Sequence, residues 1–370
     1  MINVVIDLER LKFRQCGLGQ FSLHLGRALI GEAAADIRPV LLLPRDCTDL
    51  FPSSQAAKMI ASPWRKDIVA GWLRPLVSLL PRRPHMDLWH VTHQDSKYWP
   101  IDTRVPVVLT VHDLNFLREK QPPAIRRRLQ QLQGKISRAT VLTTGSEYSA
   151  QEIREHLDLA GKEIRVIPHG VCLEQNVEPS RPSSLTASKP FLFSIGDIAP
   201  KKNFVVLVEL IARLPDYILV IAGSNSNDYA NRIKHRAKEL GIEDRVVLPG
   251  RVSEAERAWL YQNCAAFVFP SLTEGFGLPL IEAMSFGRPV FASNKTSLPE
   301  VGGPLAFLWQ SFEPAAMECV FRAGMKTYSD DPRYAEKLRE WANQFQWPHS
   351  ARRYLGLYRE VLAQHSRCAA

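Results

Sequence analysis

No apolar segment of the sequence reaches the roughly 18 residues that a membrane-spanning helix needs. The nearest candidate, residues 68–80, is interrupted by Arg74 and Pro75. The first residues also lack the cationic and apolar segments of a secretory signal peptide, and they start a strand-like run at once. We therefore expect a cytoplasmic protein that contacts the inner face of the cytoplasmic membrane peripherally at most.

Paired cysteines are also missing. The six cysteines of the 370-residue chain are scattered and include no Cys-x-x-Cys pair, so neither a zinc site nor a disulfide scaffold is supported. With 45% hydrophobic and 23% charged residues, the composition is that of an ordinary globular protein. A single core rarely grows beyond about 250–300 residues, so the length favours two domains.

Acidic residues are outnumbered, with 38 Asp and Glu against 47 Lys and Arg, which gives a formal charge of +9. Residues 1–170 hold 24 basic and 17 acidic side chains, and much of this excess falls in residues 118–138. An anionic partner is expected, such as nucleic acid, an acidic membrane surface or a phosphorylated small molecule. A solvated helix face is an equally good interpretation of the 118–138 cluster.

Short β-branched apolar runs alternate with helix-length amphipathic stretches, which is typical of parallel β-α-β units. The strands predicted in the first half are residues 3–6, 40–43, 88–91, 107–111, 140–143 and 165–167. Those predicted in the second half are residues 191–195, 218–222, 246–248, 266–269 and 289–292. The sequence therefore predicts an α/β fold with two doubly wound domains.

A Pro- and Ser-rich stretch, residues 174–189, has hardly any apolar periodicity and is interpreted as the linker. We accordingly expect a first domain over residues 1–172 and a second over 173–348. The C-terminal residues carry three helical patterns with no strand between them, so this tail differs from the rest of the chain.

Ligands of open parallel sheets bind beyond the carboxyl ends of the strands. The first such loop contains Gly17 and Gly19 ahead of an apolar helix pattern, where glycines let backbone N–H groups approach an anion. A plain turn explains this short pattern equally well. A second loop begins with His112, which can contact a sugar hydroxyl or exchange a proton, although an isolated histidine is more often a core or capping residue.

The strongest pattern is residues 267–284, in which an apolar strand leads through a polar loop and a Gly-Phe-Gly turn into a helix. Glu274 lies in the loop and Glu282 about one turn inside the helix. The N–H groups of Gly275, Phe276, Gly277 and Leu278 are expected to point toward a phosphate. Two carboxylates beside a phosphate site suit the hydroxyl groups of a nucleotide sugar.

The loop after the strand at 191–195 runs from Gly196 to Asn203 and contains Lys201 and Lys202. A lysine in this loop is expected to lie across from the Glu274 loop and to neutralise a diphosphate. Charge on the leaving group is what requires stabilisation when a sugar departs from a nucleoside diphosphate.

Together these residues resemble the family 4 retaining glycosyltransferases of the GT-B fold. The resemblance runs over most of the chain and rests on an ordered set of short motifs: the Gly17/Gly19 loop, His112-Asp113, residues 144–149, 167–170 and 196–203, Ala222-Gly223, 248–250 and the Glu274–Glu282 pair. It implies two facing Rossmann-like domains, an acceptor held mainly by the first, a nucleotide-sugar donor held mainly by the second and no obligatory metal or cofactor. It also implies that the final helix, residues 349–370, crosses back to the first domain.

When the roles of the family's motif residues are transferred to the matching positions, the resemblance implies that Lys202 contacts the donor diphosphate, Glu282 the ribose and Glu274 the transferred sugar. It places His112 near the reacting sugar, and Gly17 and Gly19 near the diphosphate or the acceptor; Gly196 belongs to the same donor loop as Lys202. Many relatives have an arginine where this chain has Asp197. One cation for the phosphates is therefore missing here, and Lys201 is expected to compensate for it in part.

The function expected from the resemblance is retaining transfer of a hexosyl unit in the synthesis of lipopolysaccharide or another surface polysaccharide. GDP-mannose is the first choice of donor and a UDP-hexose the second, with a glycan or lipid-linked acceptor. The Trp- and Arg-containing segment 63–83 suits an interfacial membrane anchor or a helix lining the acceptor cleft. The alternatives are a nucleotide-sugar 2-epimerase of the same fold and, from another class, a basic nucleic-acid-binding protein.

Overall fold

The computed structural model describes residues 1–14, 16–51, 56–61, 86–171, 177–185 and 189–369, the side chains of 368 and 369 excepted. The chain divides into two compact units, Met1–Gly170 with Gln346–Ala370, and Val171–Phe345. The expected interfacial segment 63–83 lies outside the described residues, and its role stays a prediction. None of the helices in the described ranges is both long and apolar enough to cross a membrane.

The first unit is built on a parallel sheet in the order β3-β2-β1-β4-β5-β6-β7. Its strands are β1 Ile2–Asp7, β2 Ile37–Leu43, β3 Ala57–Ile60, β4 Leu88–Val91, β5 Val107–Thr110, β6 Val141–Thr144 and β7 Ile164–Val166. The central strands β4, β5 and β6 are buried along their whole length, as expected for a parallel sheet covered on both faces.

Helices cover this sheet: α1 Gly17–Glu32, the short α2 Phe116–Glu119, α3 Pro122–Arg138, α4 Glu147–His156 and a C-terminal helix, Trp347–Ala369. Leu132 and Ile136 of α3 are buried in the core with strand residues of β4 and β5. The C-terminal helix buries Tyr358 completely, and the Tyr358 hydroxyl lies 2.7 Å from Nδ1 of His90 on β4. This helix therefore completes the first unit, although it is the last element of the chain.

The second unit holds a parallel sheet in the order β10-β9-β8-β11-β12-β13. Its strands are β8 Phe191–Ile195, β9 Ile218–Ala222, β10 Val246–Gly250, β11 Ala266–Phe269, β12 Val290–Ser293 and β13 Phe307–Trp309. Phe193 and Phe267 belong to the core on one face, and Leu192 and Val268 to the core on the other. Alternate residues of each strand thus fill two separate apolar layers.

The helices of the second unit are α5 Val205–Ala212, α6 Asp228–Glu239, α7 Glu254–Asn263, α8 Leu278–Ser285, α9 Leu298–Gly302, α10 Pro314–Asp330 and α11 Tyr334–Ala342. The described part of the predicted linker, residues 177–185, packs on this unit. Leu185 is buried in its core, and the Ser180 N–H donates to the Ala255 carbonyl. The described part of this segment therefore belongs to the second unit, and its role as the linker stays a prediction.

The predicted α/β class with two parallel sheets is confirmed, and each of the eleven predicted strands overlaps an observed one. Two short strands, β3 and β13, were not predicted. β3 is an edge strand whose four residues, including Lys58, are half-buried, and β13 has only three residues. Neither offers the period-2 alternation over four to eight residues by which a strand is recognised in a sequence.

Candidate functional site

Lys202 and Glu274 meet at the carboxyl edge of the second sheet. Nζ of Lys202 lies 2.5 Å from Oε1 of Glu274, and the two side chains are 12% and 15% exposed. The same ammonium lies 4.9 Å from the centre of the Phe269 ring, at the end of β11. The pair is therefore a partly buried ion pair between the loops that follow β8 and β11.

The backbone around Lys202 explains how it reaches this place. Gly196 follows β8 and has a φ of +149°. Lys202 lies in a short 3-10 helix that Asn203 ends in the left-handed conformation, with a φ of +54°. A Cβ at position 196 would lie 3.3 Å from Cε of Lys202. Glycine thus satisfies the backbone conformation and leaves room for the lysine side chain.

The Glu274 loop is fixed by residues that follow β12. The Glu274 N–H donates to Oγ1 of Thr296 at 3.0 Å. The Ser297 hydroxyl lies 3.1 Å from the Glu274 carbonyl oxygen and 2.9 Å from that of Phe276, to which it can donate. The loop backbone is consequently held in place without any use of the Glu274 carboxylate.

The Gly-Phe-Gly turn leads into α8 as predicted. Gly277 is the residue before the helix and has a φ of +109°, and a Cβ there would lie 2.6 Å from Cδ2 of Leu298. Pro279 lies in the first turn, where its missing N–H is not needed. The N-terminus of α8, with its partial positive charge, therefore follows Glu274 by only a few residues.

Glu282 lies inside α8 and contacts α7 through both carboxylate oxygens. The Tyr261 hydroxyl donates to Oε2 at 2.7 Å, and Nη1 of Arg257 donates to Oε1 at 3.2 Å. Arg257 also donates to Glu254 at 2.6 Å, and the charge of Glu282 raises the pKa of the guanidinium. The carboxylate expected to contact a ribose is thus already bound by a tyrosine and an arginine.

Arg257 and Tyr261 are site residues that the sequence motifs did not reveal. The sequence does contain a signal for the helix that carries them, because Ser253 and Glu256 form a capping box that fixes the start of α7. Residues 257 and 261 are four positions apart and so lie on one face of that helix. What the sequence could not show is that this face meets Glu282 of α8.

In the first unit, His112 is buried at the end of β5. Its Nε2–H donates to the Thr92 carbonyl at 2.9 Å, and its backbone N–H donates to Oε1 of Gln94 at 3.1 Å. Burial lowers the pKa of His112 to about 4, so the imidazole is neutral at pH 7. Nδ1 is then an acceptor, and it is buried with no hydrogen-bond partner among the described residues.

Three aromatic rings surround this imidazole. The centre of the Phe21 ring lies 4.6 Å away, that of His169 5.2 Å and that of His93 5.5 Å. Burial lowers the pKa of His93 to about 2 and that of His169 well below its ordinary value. The cluster is uncharged at neutral pH, which suits hydrogen bonding to a hydroxyl group better than general acid catalysis.

Gly17 and Gly19 both lie in the first turn of α1 but differ in their surroundings. A Cβ at Gly19 would lie 2.1 Å from the Phe13 carbonyl oxygen, whereas a Cβ at Gly17 would meet nothing within 4 Å. Glycine is therefore required at position 19 by the close approach of the Phe13 backbone, independently of any ligand. In the described ranges, no three His, Cys, Asp or Glu side chains are grouped to hold a metal ion.

Two family models match the chain. Residues 17–175 match the model described as Glycosyltransferase Family 4, and residues 177–341 match that described as Glycosyl transferases group 1. The two matches adjoin and together cover most of the sequence. The chain belongs to the family 4, group 1 glycosyltransferases.

Several relatives are mannosyltransferases. The chain is 30% identical over 270 residues to the serotype-specific mannosyltransferase WbdA of Escherichia coli, covering 66% of this chain and 32% of WbdA. It thus spans about a third of that protein's length. It is 25% identical to O-antigen chain mannosyltransferase B of Escherichia coli, over 97% of this chain and 100% of the relative. A GDP-mannose:cellobiosyl-diphosphopolyprenol alpha-mannosyltransferase of Komagataeibacter xylinus is 28% identical, over 52% of each chain.

Solved structures match the whole fold at lower identity. The sucrose-phosphate synthase of Thermosynechococcus elongatus superposes with a TM-score of 0.75 at 19% identity, covering 98% of this chain and 100% of the other. HepE of Anabaena, solved in complex with UDP-glucose, has a TM-score of 0.71 at 17% identity, covering 97% and 100%. The fold expected from the resemblance, the GT-B class with two parallel-sheet domains, is confirmed.

Proposed function

We propose that this protein transfers a hexosyl unit from a nucleoside diphosphate sugar to a glycan or lipid-linked acceptor, with retention of anomeric configuration. The observation that carries the proposal is the ion pair between Lys202 and Glu274 at the carboxyl edge of the second sheet. An ammonium for a diphosphate and a carboxylate for sugar hydroxyls are thereby side by side in the unit that matches the group 1 model.

In this proposal Lys202 stabilises the negative charge that develops on the departing diphosphate, with Lys201 as a second cation. Gly275, Phe276, Gly277 and Leu278 supply the N–H groups of the α8 N-terminus to the same diphosphate. When the diphosphate attracts the ammonium, the Glu274 carboxylate becomes available to accept hydrogen bonds from the transferred sugar.

The remaining site residues have supporting roles. Glu282 accepts from the ribose hydroxyls while Tyr261 and Arg257 hold its orientation. The unpaired Nδ1 of His112 accepts from a hydroxyl group near the reacting carbon. A phosphate oxygen of the leaving group takes the acceptor proton, which explains why the chemistry needs no separate carboxylate base.

GDP-mannose is the proposed donor and a UDP-hexose the alternative. The relatives named as mannosyltransferases, one of them named for GDP-mannose, support the first choice. The HepE complex with UDP-glucose supports the second. The proposed setting is O-antigen or another surface polysaccharide, assembled at the inner face of the cytoplasmic membrane on a lipid-linked acceptor.

The test is incubation of the protein with GDP-mannose or UDP-glucose, with and without a lipid-linked oligosaccharide acceptor. The proposal predicts acceptor-dependent release of nucleoside diphosphate and a product whose new linkage has the anomeric configuration of the donor by NMR. Conversion of the donor without an acceptor would instead indicate an epimerase. Binding of random DNA that weakens steeply with salt concentration, together with an absence of sugar transfer, would indicate a nucleic-acid-binding protein.

A further inference from the structure

A basic cleft opens at the carboxyl edge of the first sheet, and the predicted site residues do not line it. It has a volume of about 890 Å³, and its described lining comes from the segments that follow β1, β2, β3 and β4 together with Lys120 and α3. Ligands of open parallel sheets bind at this edge. The cleft is therefore in the right place for a substrate.

Positive charge dominates the cleft. Its described lining contains seven Lys or Arg side chains but only two carboxylates, those of Glu9 and Asp95. Glu9 is bound by Lys12 at 2.6 Å, and Asp95 is bound by Arg128 at 3.0 Å. Both acidic groups are thus neutralised within the lining, which leaves a formal excess of five positive charges.

One face of α3 forms a wall of the cleft. Ala124, Arg127, Arg128, Gln131 and Lys135 all line it, and their spacing of three or four residues places them on a single stripe of the helix. The neighbouring stripe, Leu132 and Ile136, is buried in the core and fixes the rotation of the helix.

The deepest cations are held in place by the chain itself. Nζ of Lys135 donates to the carbonyl oxygens of Gln94 and Ser96, at 2.5 and 3.0 Å. Nη2 of Arg10 donates to Nδ1 of His93 at 3.1 Å, while its buried Nε has no hydrogen-bond partner among the described residues. Arg10 also lies 3.8 Å from a carboxylate oxygen of Glu9 and of Asp95, so these cations are preorganised, with one Arg10 N–H group not used in a hydrogen bond among the described residues.

The cations nearer the opening are not neutralised. Lys97, Lys120 and Arg127 are exposed and form no ion pair with another described residue. Like charges that line one cleft repel one another, and an anion that binds between them relieves this repulsion. A phosphate or diphosphate group is the ligand that this arrangement suits.

We propose that this cleft binds the phosphate or diphosphate group of the acceptor. The inference rests on the proposed function, since it assumes that the first unit holds the acceptor. It adds the chemical class of that acceptor, a phosphorylated saccharide or a diphosphate-linked lipid, and it names Arg127, Lys120 and Arg10 as residues that contact the anion.

The experiment is a calorimetric titration of inorganic pyrophosphate into the wild type, Arg127→Ala and Lys120→Ala, each saturated with GDP so that the proposed diphosphate site at Lys202 is already occupied. Arg126→Ala is the matched control, because Arg126 is an exposed neighbour on the same helix that does not line the cleft. We expect each cleft variant to lose about fivefold in affinity and the control to retain the wild-type value. Lys202→Met, in the other unit, should leave this cleft binding unchanged.

Equal losses in Arg127→Ala and Arg126→Ala would overturn the proposal, because they would show a diffuse effect of net charge. Wild-type affinity in both cleft variants would overturn it too. Binding to phosphatidylglycerol vesicles provides the second arm: if the wild type binds vesicles but not pyrophosphate, the cations serve a membrane surface and the cleft proposal fails. A separate titration with GDP reports on the donor site, so failure of either proposal is recognised independently.

Discussion

The ammonium of Lys202 lies 2.5 Å from a carboxylate oxygen of Glu274, a residue 72 positions further along the chain. Each side chain neutralises the other in the absence of a ligand. A diphosphate would compete for the ammonium and release the carboxylate. The two residues should therefore affect different steps. Lys202 should affect the affinity for the nucleotide, and Glu274 should affect the transfer of the sugar.

Replacing Glu274 by Gln should lower kcat for sugar transfer by about 100-fold, since a neutral amide orients the sugar hydroxyls less strongly. The affinity for GDP should not fall and is expected to rise, because the carboxylate no longer competes with the diphosphate for the Lys202 ammonium. Steady-state kinetics together with GDP titration check both parts. An unchanged kcat would show that the carboxylate does not act on the transferred sugar.

Replacing Glu282 by Gln should reduce discrimination between GDP and 2′,3′-dideoxy-GDP by about tenfold, because a carboxylate accepts ribose hydroxyls more strongly than an amide does. Tyr261→Phe is the comparison, since it removes a hydroxyl that orients Glu282 and keeps the charge. Competition binding with the two nucleotides is the measurement. If Glu282→Gln discriminates as the wild type does, the ribose contact is wrong.

Asp7 is buried at the end of β1, and burial raises its pKa from 3.8 to about 7. The folded protein therefore binds this proton more tightly than the unfolded chain, so the stability contributed by this group is greatest below pH 4 and is lost as the pH rises through 7. The effect is at most about 4 kcal/mol. In urea unfolding, the stability of Asp7→Asn relative to the wild type should rise between pH 5 and pH 8, because only the wild type loses the Asp7 contribution over this range. A stability difference that does not change with pH would contradict the assignment.

Gly277→Ala should lower the free energy of unfolding by about 1–3 kcal/mol, because the backbone is left-handed there and the new Cβ meets Leu298. Gly134→Ala is the control. Gly134 lies inside α3, and a Cβ added there would have nothing within 4 Å, so alanine should stabilise the helix by up to about 1 kcal/mol. Chemical denaturation measures both. A neutral Gly277→Ala would mean that the turn before α8 is not fixed by glycine.

The donor-side geometry could be predicted in part because it follows from strand order. Parallel strands end at one edge of a sheet, so the loops after β8 and β11, which are neighbours in the sheet, bring Lys202 and Glu274 together. The contact of Glu282 with Arg257 and Tyr261 could not be predicted in this way. It depends on how two helices are rotated against each other, which the sequence of neither helix specifies.

The contacts of the cationic segment 118–138 also could not be predicted from the sequence. Its net charge suggested either an anionic partner or a solvated helix face, but the structure distributes its side chains among different partners. Arg118 forms a 2.5 Å ion pair with Glu152, and Arg138 stacks 4.6 Å from the centre of the Trp99 ring. Of this segment, the described residues that line the cleft are Lys120 and one stripe of α3. The other described cations of the cleft, Arg10, Lys12 and Lys97, come from loops distant in sequence.

The central claim is that the second unit binds a nucleoside diphosphate through Lys202. Its most direct test is calorimetric titration of GDP and UDP into the wild type, Lys202→Met and Lys189→Met, the last an exposed lysine of the same unit. We predict that at least one nucleotide binds the wild type, that Lys202→Met lowers its affinity at least about tenfold, and that Lys189→Met does not. If neither nucleotide binds, or if Lys202→Met binds as the wild type does, the account is wrong.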